Sequence, residues 1–143
     1  MSNLYSIVVY GEPVPQGRPR FRHMGARVIA YDPKKCRLYK EAVKDEARLN
    51  APSAPLEGSL TMTLRIYHKI PKSASRAKLE RMNAGFIRPT TKPDIDNVQK
   101  AVMDALTGVW YVDDSQIVES HVGKWYSENP RVEVTVEEAT DET

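Results

Sequence analysis

The chain has 143 residues, with 21 Lys and Arg against 19 Asp and Glu, 41% hydrophobic residues and a single cysteine. That length suits one domain with one core, and the composition is that of an ordinary soluble globular protein. An internal disulfide framework is excluded, and no apolar run approaches the ~20 residues of a membrane span. The N-terminus lacks a signal-peptide pattern and a lone thiol suits a reducing compartment, so the expected location is the cytoplasm.

The near-neutral balance conceals a division. Residues 1–93 hold 18 Lys and Arg against 7 Asp and Glu, whereas residues 94–143 hold 3 against 12. A basic portion of that size suits a polyanionic partner, although a soluble protein with uneven charge shows the same asymmetry.

In chain order, Tyr5–Tyr10 is β-branched and aromatic and predicts a strand. Gly11–Arg22 carries three prolines, two glycines and three arginines, which predicts an extended cationic loop. Arg18, Arg20 and Arg22 suit phosphate recognition through their planar forks, and Phe21 could stack on a base; the plainer alternative is a solubilising connection. His23 reads as an exposed loop residue. Ala26–Tyr31 predicts a second strand, and Asp32-Pro33 a helix start. Over Lys34–Leu49 the residues Leu38, Ala42, Val43 and Ala47 form a one-sided stripe, with Lys35, Tyr39, Lys40 and Lys44 towards the other side. Cys36 reads as a partly buried, unreactive cysteine. Leu60, Met62, Leu64 and Ile66 alternate with polar residues and predict a half-buried strand. Residues 71–91 are basic and poor in large apolar side chains, a weakly helical flap in which Lys72, Arg76 and Arg88, followed by Lys92, are candidate DNA contacts.

The densest chemistry lies in Lys92–Ile117. Pro93 disfavours a helical Lys92, so the chain should enter Asp94 extended. Asp96 or Asn97 is a suitable N-cap. Val98, Ala101, Val102, Ala105 and Leu106 then mark one face of a helix, and Gly108 its stop. Asp96, Lys100 and Asp104 recur every four residues on the opposite face. Hard divalent cations prefer oxygen ligands, and an extended Asp-X-Asp points both carboxylates one way. Of the adjacent Asp113 and Asp114, only one could face the same cleft from a strand, whereas a turn would relax that restriction. Lys100 could offset charge developing on a phosphate. Without further context, acids that cap and solvate a helix explain the pattern as well.

Strands are predicted over Ser115–Trp125 and Arg131–Val136, with residues 137–143 an acidic tail after a single domain over 1–136. Trp110, Tyr111 and Trp125 read as core, and His121 as a strand-surface residue. The order implies an α/β (α+β) fold, a mixed sheet covered by two helices.

The string Lys-Pro-Asp94-Ile-Asp96-Asn97-Val-Gln-Lys100-Ala-Val-Met-Asp104-Ala-Leu-Thr-Gly, followed by Tyr-Val-Asp113-Asp114-Ser-Gln-Ile, closely resembles the core of the RusA-like Holliday-junction resolvases. These are small, magnesium-dependent endonucleases common in prophages. The loop Gly11–Arg20 is similar to that of phage members. The resemblance implies that Asp94, Asp96 and Asp114 bind metal, with Asp113 the further member of its pair, and that Lys100 is the catalytic lysine. It implies Mg2+, with Mn2+ as a substitute, and four-way DNA as the partner. A homodimer is expected, because two symmetry-related strands must be cut and the chain carries one acidic motif. Val109, Trp110, Tyr111 and the strand Ile117–Trp125 are candidates for its interface. Two alternatives stay open: a non-catalytic junction-binding module and, further off, a metal-dependent phosphotransfer or glycosyl-transfer enzyme.

Overall fold

Residues 4–139 are described by the computed structural model, and the remainder of the acidic tail lies outside them. The elements are β1 (Leu4–Tyr10), β2 (Arg20–Met24), β3 (Arg27–Tyr31), α1 (Lys34–Leu49), β4 (Leu60–Lys69), α2 (Arg76–Asn83), α3 (Ile95–Leu106), β5 (Ile117–Ser127) and β6 (Arg131–Glu138). Two sheets result, one with the order β1-β6-β4-β5 and a separate ribbon of β2 with β3. The fold is α+β, as the element pattern implies. No helix among the described residues is long and apolar enough to cross a membrane.

Alternation builds the larger sheet. Leu60, Met62, Leu64 and Ile66 of β4 are fully buried, and across the antiparallel ladder Met62 faces Val136, Leu64 faces Val134 and Ile66 faces Val132. Ile7 and Val9 extend the same face through β1. Against it pack α1 and α3, the latter burying Val98, Ala101, Val102, Ala105 and Leu106 as the periodicity predicts. Gly108 takes φ +85°, the left-handed conformation expected of a helix stop. On the other side of the sheet, Tyr67 and Trp125 lie 5.8 Å apart between the guanidinium groups of Arg131 and Arg88.

β4 pairs with β5 in parallel. Parallel neighbours need a long crossover, and here it contains α2, α3 and the turn at Asp114. The predicted flap is thus partly a helix, α2, whose N-cap Ser75 accepts from the Lys78 amide and whose buried side chain is Met82.

Several expectations are corrected. The buried stripe of α1 is Cys36, Tyr39, Val43 and Ala47, while Leu38 is 61% exposed. Both phases satisfy the helical period, and the one carrying the bulky Tyr39 ring fills the space under the sheet. Cys36 is fully rather than partly buried. The predicted loop at Arg20–Met24 is strand β2, because the breakers end at Pro19 and the tight turn at Gly25 folds β3 back on it. Trp110 and Tyr111 are fully buried and offer no surface to a second copy; the Trp110 indole donates to the Ala47 carbonyl at 3.1 Å and the Tyr111 hydroxyl to the Met103 carbonyl at 2.7 Å. β6 runs two residues beyond the predicted Val136 because its ladder with β4 continues to Glu138.

His68, on the buried face of β4, has an Nε2 atom without a hydrogen-bond partner. Burial, and then the charge of Lys124, hold its pKa below the usual histidine value. As pH falls below that usual value, the unfolded chain takes up a proton that the folded chain refuses, and stability declines. Urea midpoints at about pH 7 and pH 5 should therefore differ less in His68→Leu than in the parent protein.

Candidate active site

Helix α3 begins earlier than its capping residues suggest. Asp94 occupies the N-cap in extended conformation, its carbonyl accepting from the Val98 amide at 3.2 Å, and Ile95 is already helical. The extended Asp-X-Asp is therefore corrected: Asp94 precedes the helix and Asp96 stands in its first turn. Upstream, the Lys124 ammonium of β5 donates to the carbonyls of Thr91 at 2.9 Å and Pro93 at 3.2 Å. That tie fixes the chain where it enters Asp94.

The arginine-bearing loop is fastened to the same helix. The Gln16 amide donates to the Asn97 carbonyl at 2.9 Å. Gly17 passes so close to the Pro33 ring that a Cβ would meet it at 2.9 Å, so a larger residue would displace the loop. Between loop and helix lies an open cleft of about 550 Å3, lined by Gln16, Gly17, Arg18, Pro19, Asp32, Lys40, Asn97, Lys100, Asp104 and Asp114.

Lys40 holds the wall of this cleft together. Its ammonium contacts Asp32 at 2.8 Å and Asp104 at 2.5 Å, joining the start of α1 to α3, and Asp32 also accepts from Gln16 at 3.1 Å. Lys40 holds the Asp32 carboxyl below its usual range. Burial acts to lower the Lys40 pKa, but the bonds to Asp104 and Asp32 outweigh it and hold it above the usual value.

Asp114 reaches the cleft because a 3-10 turn replaces the predicted start of the strand. Gln116 makes that turn: its Oε1 accepts from the amides of Val112 at 2.9 Å and Asp113 at 2.8 Å, and its Nε2 donates to the carbonyls of Leu56 and Gly58. Asp113 accepts from the Ser115 hydroxyl and does not line the cleft. Among the described residues, the side chains of Asp94, Asp96, Lys100 and Asp114 are exposed and carry no hydrogen bond or ion pair.

A comparison with protein families decides what this arrangement belongs to. The family model "Endodeoxyribonuclease RusA" matches residues 10–137, nearly the whole chain. The chain belongs to the RusA endodeoxyribonuclease family. A relative in Bacillus subtilis (strain 168), "Uncharacterized protein YqaN", is 45% identical over 134 residues, covering 92% of this chain and 94% of that protein. RusA enzymes cut within DNA strands, and a mixed cleft of carboxylates and cations suits a phosphodiester.

The remaining sequence-predicted RusA site residues are spread more widely. Arg18 lines the cleft, whereas Arg20 and Arg22 stand on β2 beyond it. Lys72, Arg76 and Lys92 are exposed on the crossover. Arg88 is exposed but lies along β5, its Nε donating to the Lys124 carbonyl at 2.8 Å and its guanidinium lying 4.4 Å from the Trp125 ring centre. His121 is exposed beside Glu119, as expected of a strand-surface residue. Asp94 and Asp96 stand at the N-cap and in the first turn of α3, before Lys100, and do not line the cleft. Among the described residues no three His, Cys, Asp or Glu side chains are grouped closely enough to hold a metal ion. The donor chemistry nevertheless fits a hard cation, because magnesium is commonly held by one or two carboxylates with water and substrate phosphate completing its shell.

Gln16, Asp32 and Lys40 escape sequence reasoning altogether. Lys40 reads as one more solvated helix lysine, and nothing local signals that its partners are an aspartate eight residues earlier and another 64 residues later. Replacing Lys40 with Met leaves two carboxylates facing each other across the wall. The expected loss is about 1–3 kcal/mol of unfolding free energy at neutral pH, read from urea denaturation. Because the Asp32 pKa is lowered, the pair's contribution is complete above the usual carboxylate range and is lost as pH falls through the folded-state value; the acid limb should flatten in Lys40→Met.

Proposed function

We propose that this protein is a divalent-metal-dependent endonuclease that resolves four-way DNA junctions, with Mg2+ as the working ion and Mn2+ able to replace it. The observation that carries the reading is the set of unpartnered side chains, Asp94, Asp96, Asp114 and Lys100, beside a cleft that also holds Arg18. Family membership supports the reaction class.

In this reading Asp94, Asp96 and Asp114 would supply the carboxylates for the cation, which would neutralise phosphate charge and acidify the attacking water. Arg18 grips a phosphate of the same strand through its planar fork, fixing the backbone for in-line displacement. Lys100 offsets the negative charge that develops on the phosphoryl oxygens. Lys124 acts at one remove, holding the carbonyls of Thr91 and Pro93 so that Asp94 is presented from a fixed backbone. Arg20, Arg22, Lys72, Arg76 and Lys92 supply sequence-independent attraction to the DNA arms.

The test is a labelled four-way junction and a matched linear duplex, each incubated with Mg2+ and with EDTA. Paired cuts in the junction alone, abolished by EDTA, are expected. Asp94→Asn, Asp96→Asn and Asp114→Asn should each lower cutting by at least about 100-fold while junction binding in EDTA is kept. Asp113→Asn should be milder, because its carboxylate is occupied by Ser115. Near-normal cutting by any of the first three would break the proposed site. A binding-only role draws on the lack of a three-carboxylate group among the described residues, and junction binding with no cutting in either metal would favour it.

Paired cutting calls for two sites, and the working unit is proposed to be a homodimer. With Trp110 and Tyr111 buried, the surface left for pairing centres on β5, an outer strand of the sheet with Val118 exposed. Sedimentation at micromolar concentration should give about twice the chain mass, and a protein that remains monomeric on junction DNA while making paired cuts would sink the dimer.

A further inference from the structure

The ribbon of β2 and β3 stands outside the main sheet, and all of its residues except the half-buried Tyr31 are exposed. A two-stranded ribbon open to water on both sides gains little stability by itself, so its side chains suit an occupant rather than a core. The register sorts the charged side chains. Arg20 lies opposite Tyr31, Arg22 opposite Ile29 and Met24 opposite Arg27, which places three arginines on one face. The other face carries Phe21 opposite Ala30 and His23 opposite Val28, with Phe21 69% and Val28 58% exposed. One face therefore carries all three arginines, interleaved with Met24, Ile29 and Tyr31, while the other, with Phe21, His23, Val28 and Ala30, carries no Lys, Arg, Asp or Glu.

Both ends of the ribbon are rooted in the cleft. Arg18 and Pro19 line it just before β2 begins, and Asp32 lines it just after β3 ends. A strand in the cleft therefore lies at the root of the ribbon. A continuous duplex groove has phosphates on both walls and is matched by a ribbon charged on both faces. At a branch point the situation differs. Phosphates flank one side, and on the other the base pair that ends a helical arm turns a flat, apolar face outward.

We propose that the β2–β3 ribbon is a branch-recognition wedge, with Arg20, Arg22 and Arg27 against the backbone of one arm and Phe21 stacked on the base that ends its neighbour. Charge complementarity selects nucleic acid for one face, and the aromatic Phe21 selects an unstacked base for the other. This assignment rests on the junction-cutting reading above and adds what distinguishes a junction from a duplex.

The experiment places 2-aminopurine at the crossover of a four-way junction and measures fluorescence and affinity in EDTA, with linear duplex as the reference. Binding of the parent protein should raise the fluorescence severalfold. Phe21→Ala should remove that rise and lower the ratio of junction to duplex affinity about tenfold, and Phe21→Trp should restore both. Because Phe21 is exposed, its thermal melt should be unmoved. Changing Arg20, Arg22 and Arg27 to Gln should instead weaken both DNAs and flatten the salt dependence of binding. A Phe21→Ala protein with the parent's fluorescence rise and affinity ratio overturns the wedge while leaving the junction-cutting reading intact. A parent protein that neither prefers nor cuts junctions overturns that reading, and the wedge with it.

Discussion

Parallel pairing of β4 with β5 is the constraint from which the rest of the architecture follows. An antiparallel partner could have been reached through a tight hairpin, but a parallel one obliges the chain to leave one end of the sheet and return to the other. The return path takes up 47 residues, numbers 70–116, and it contains every carboxylate assigned to the chemistry. α3 packs its apolar stripe on the sheet, so its polar side, with Asp96, Lys100 and Asp104, is directed away from the core. Returning into β5 then demands a turn, and Gln116 builds it by occupying two amides and two carbonyls with one side chain. The site is the exposed side of a connection that the sheet makes obligatory.

Charge is arranged on the same plan. The basic portion of the chain supplies α1, which packs on α3, and the loop before the ribbon, which is tied to α3 through Gln16 and Asn97. Lys40 of this portion is half-buried and pairs with both Asp32 and Asp104. A cleft of carboxylates would otherwise repel a phosphate backbone. With Asp32 and Asp104 paired to Lys40, Asp114 is the cleft-lining carboxylate without an ion pair, and Arg18 lines the same cleft.

Much of this was legible in the sequence, for particular reasons. The face of α3 was readable because five small or branched apolar residues mark it and Gly108 closes it. The acidic string was readable because its residue types, spacing and order together are specific. What was not legible depended on partners far away in sequence. The stripe of α1 has two periodic solutions, and only the shape of the sheet selects Tyr39 over Leu38. Of the ribbon, β3 was legible and β2 was hidden, because arginines and prolines signal irregular chain, whereas the pairing that makes β2 a strand comes from β3. Asp94 and Asp96 were expected side by side, yet helix propagation from Ile95 separates them. Backbone hydrogen bonding outweighed a pattern read from side chains alone.

The single cysteine gives this architecture an unplanned means of observation. Cys36 lies in the first turn of α1, four residues beyond Asp32 and the root of the ribbon, and only 2% of its surface is accessible. An alkylating reagent attacks the thiolate and needs room to do so, so modification of the folded protein must wait for that turn to lift. The speed of thiol capture thus becomes a clock for local opening at the point where the ribbon is anchored. With no second sulfhydryl in the chain, every captured molecule reports on that one hinge.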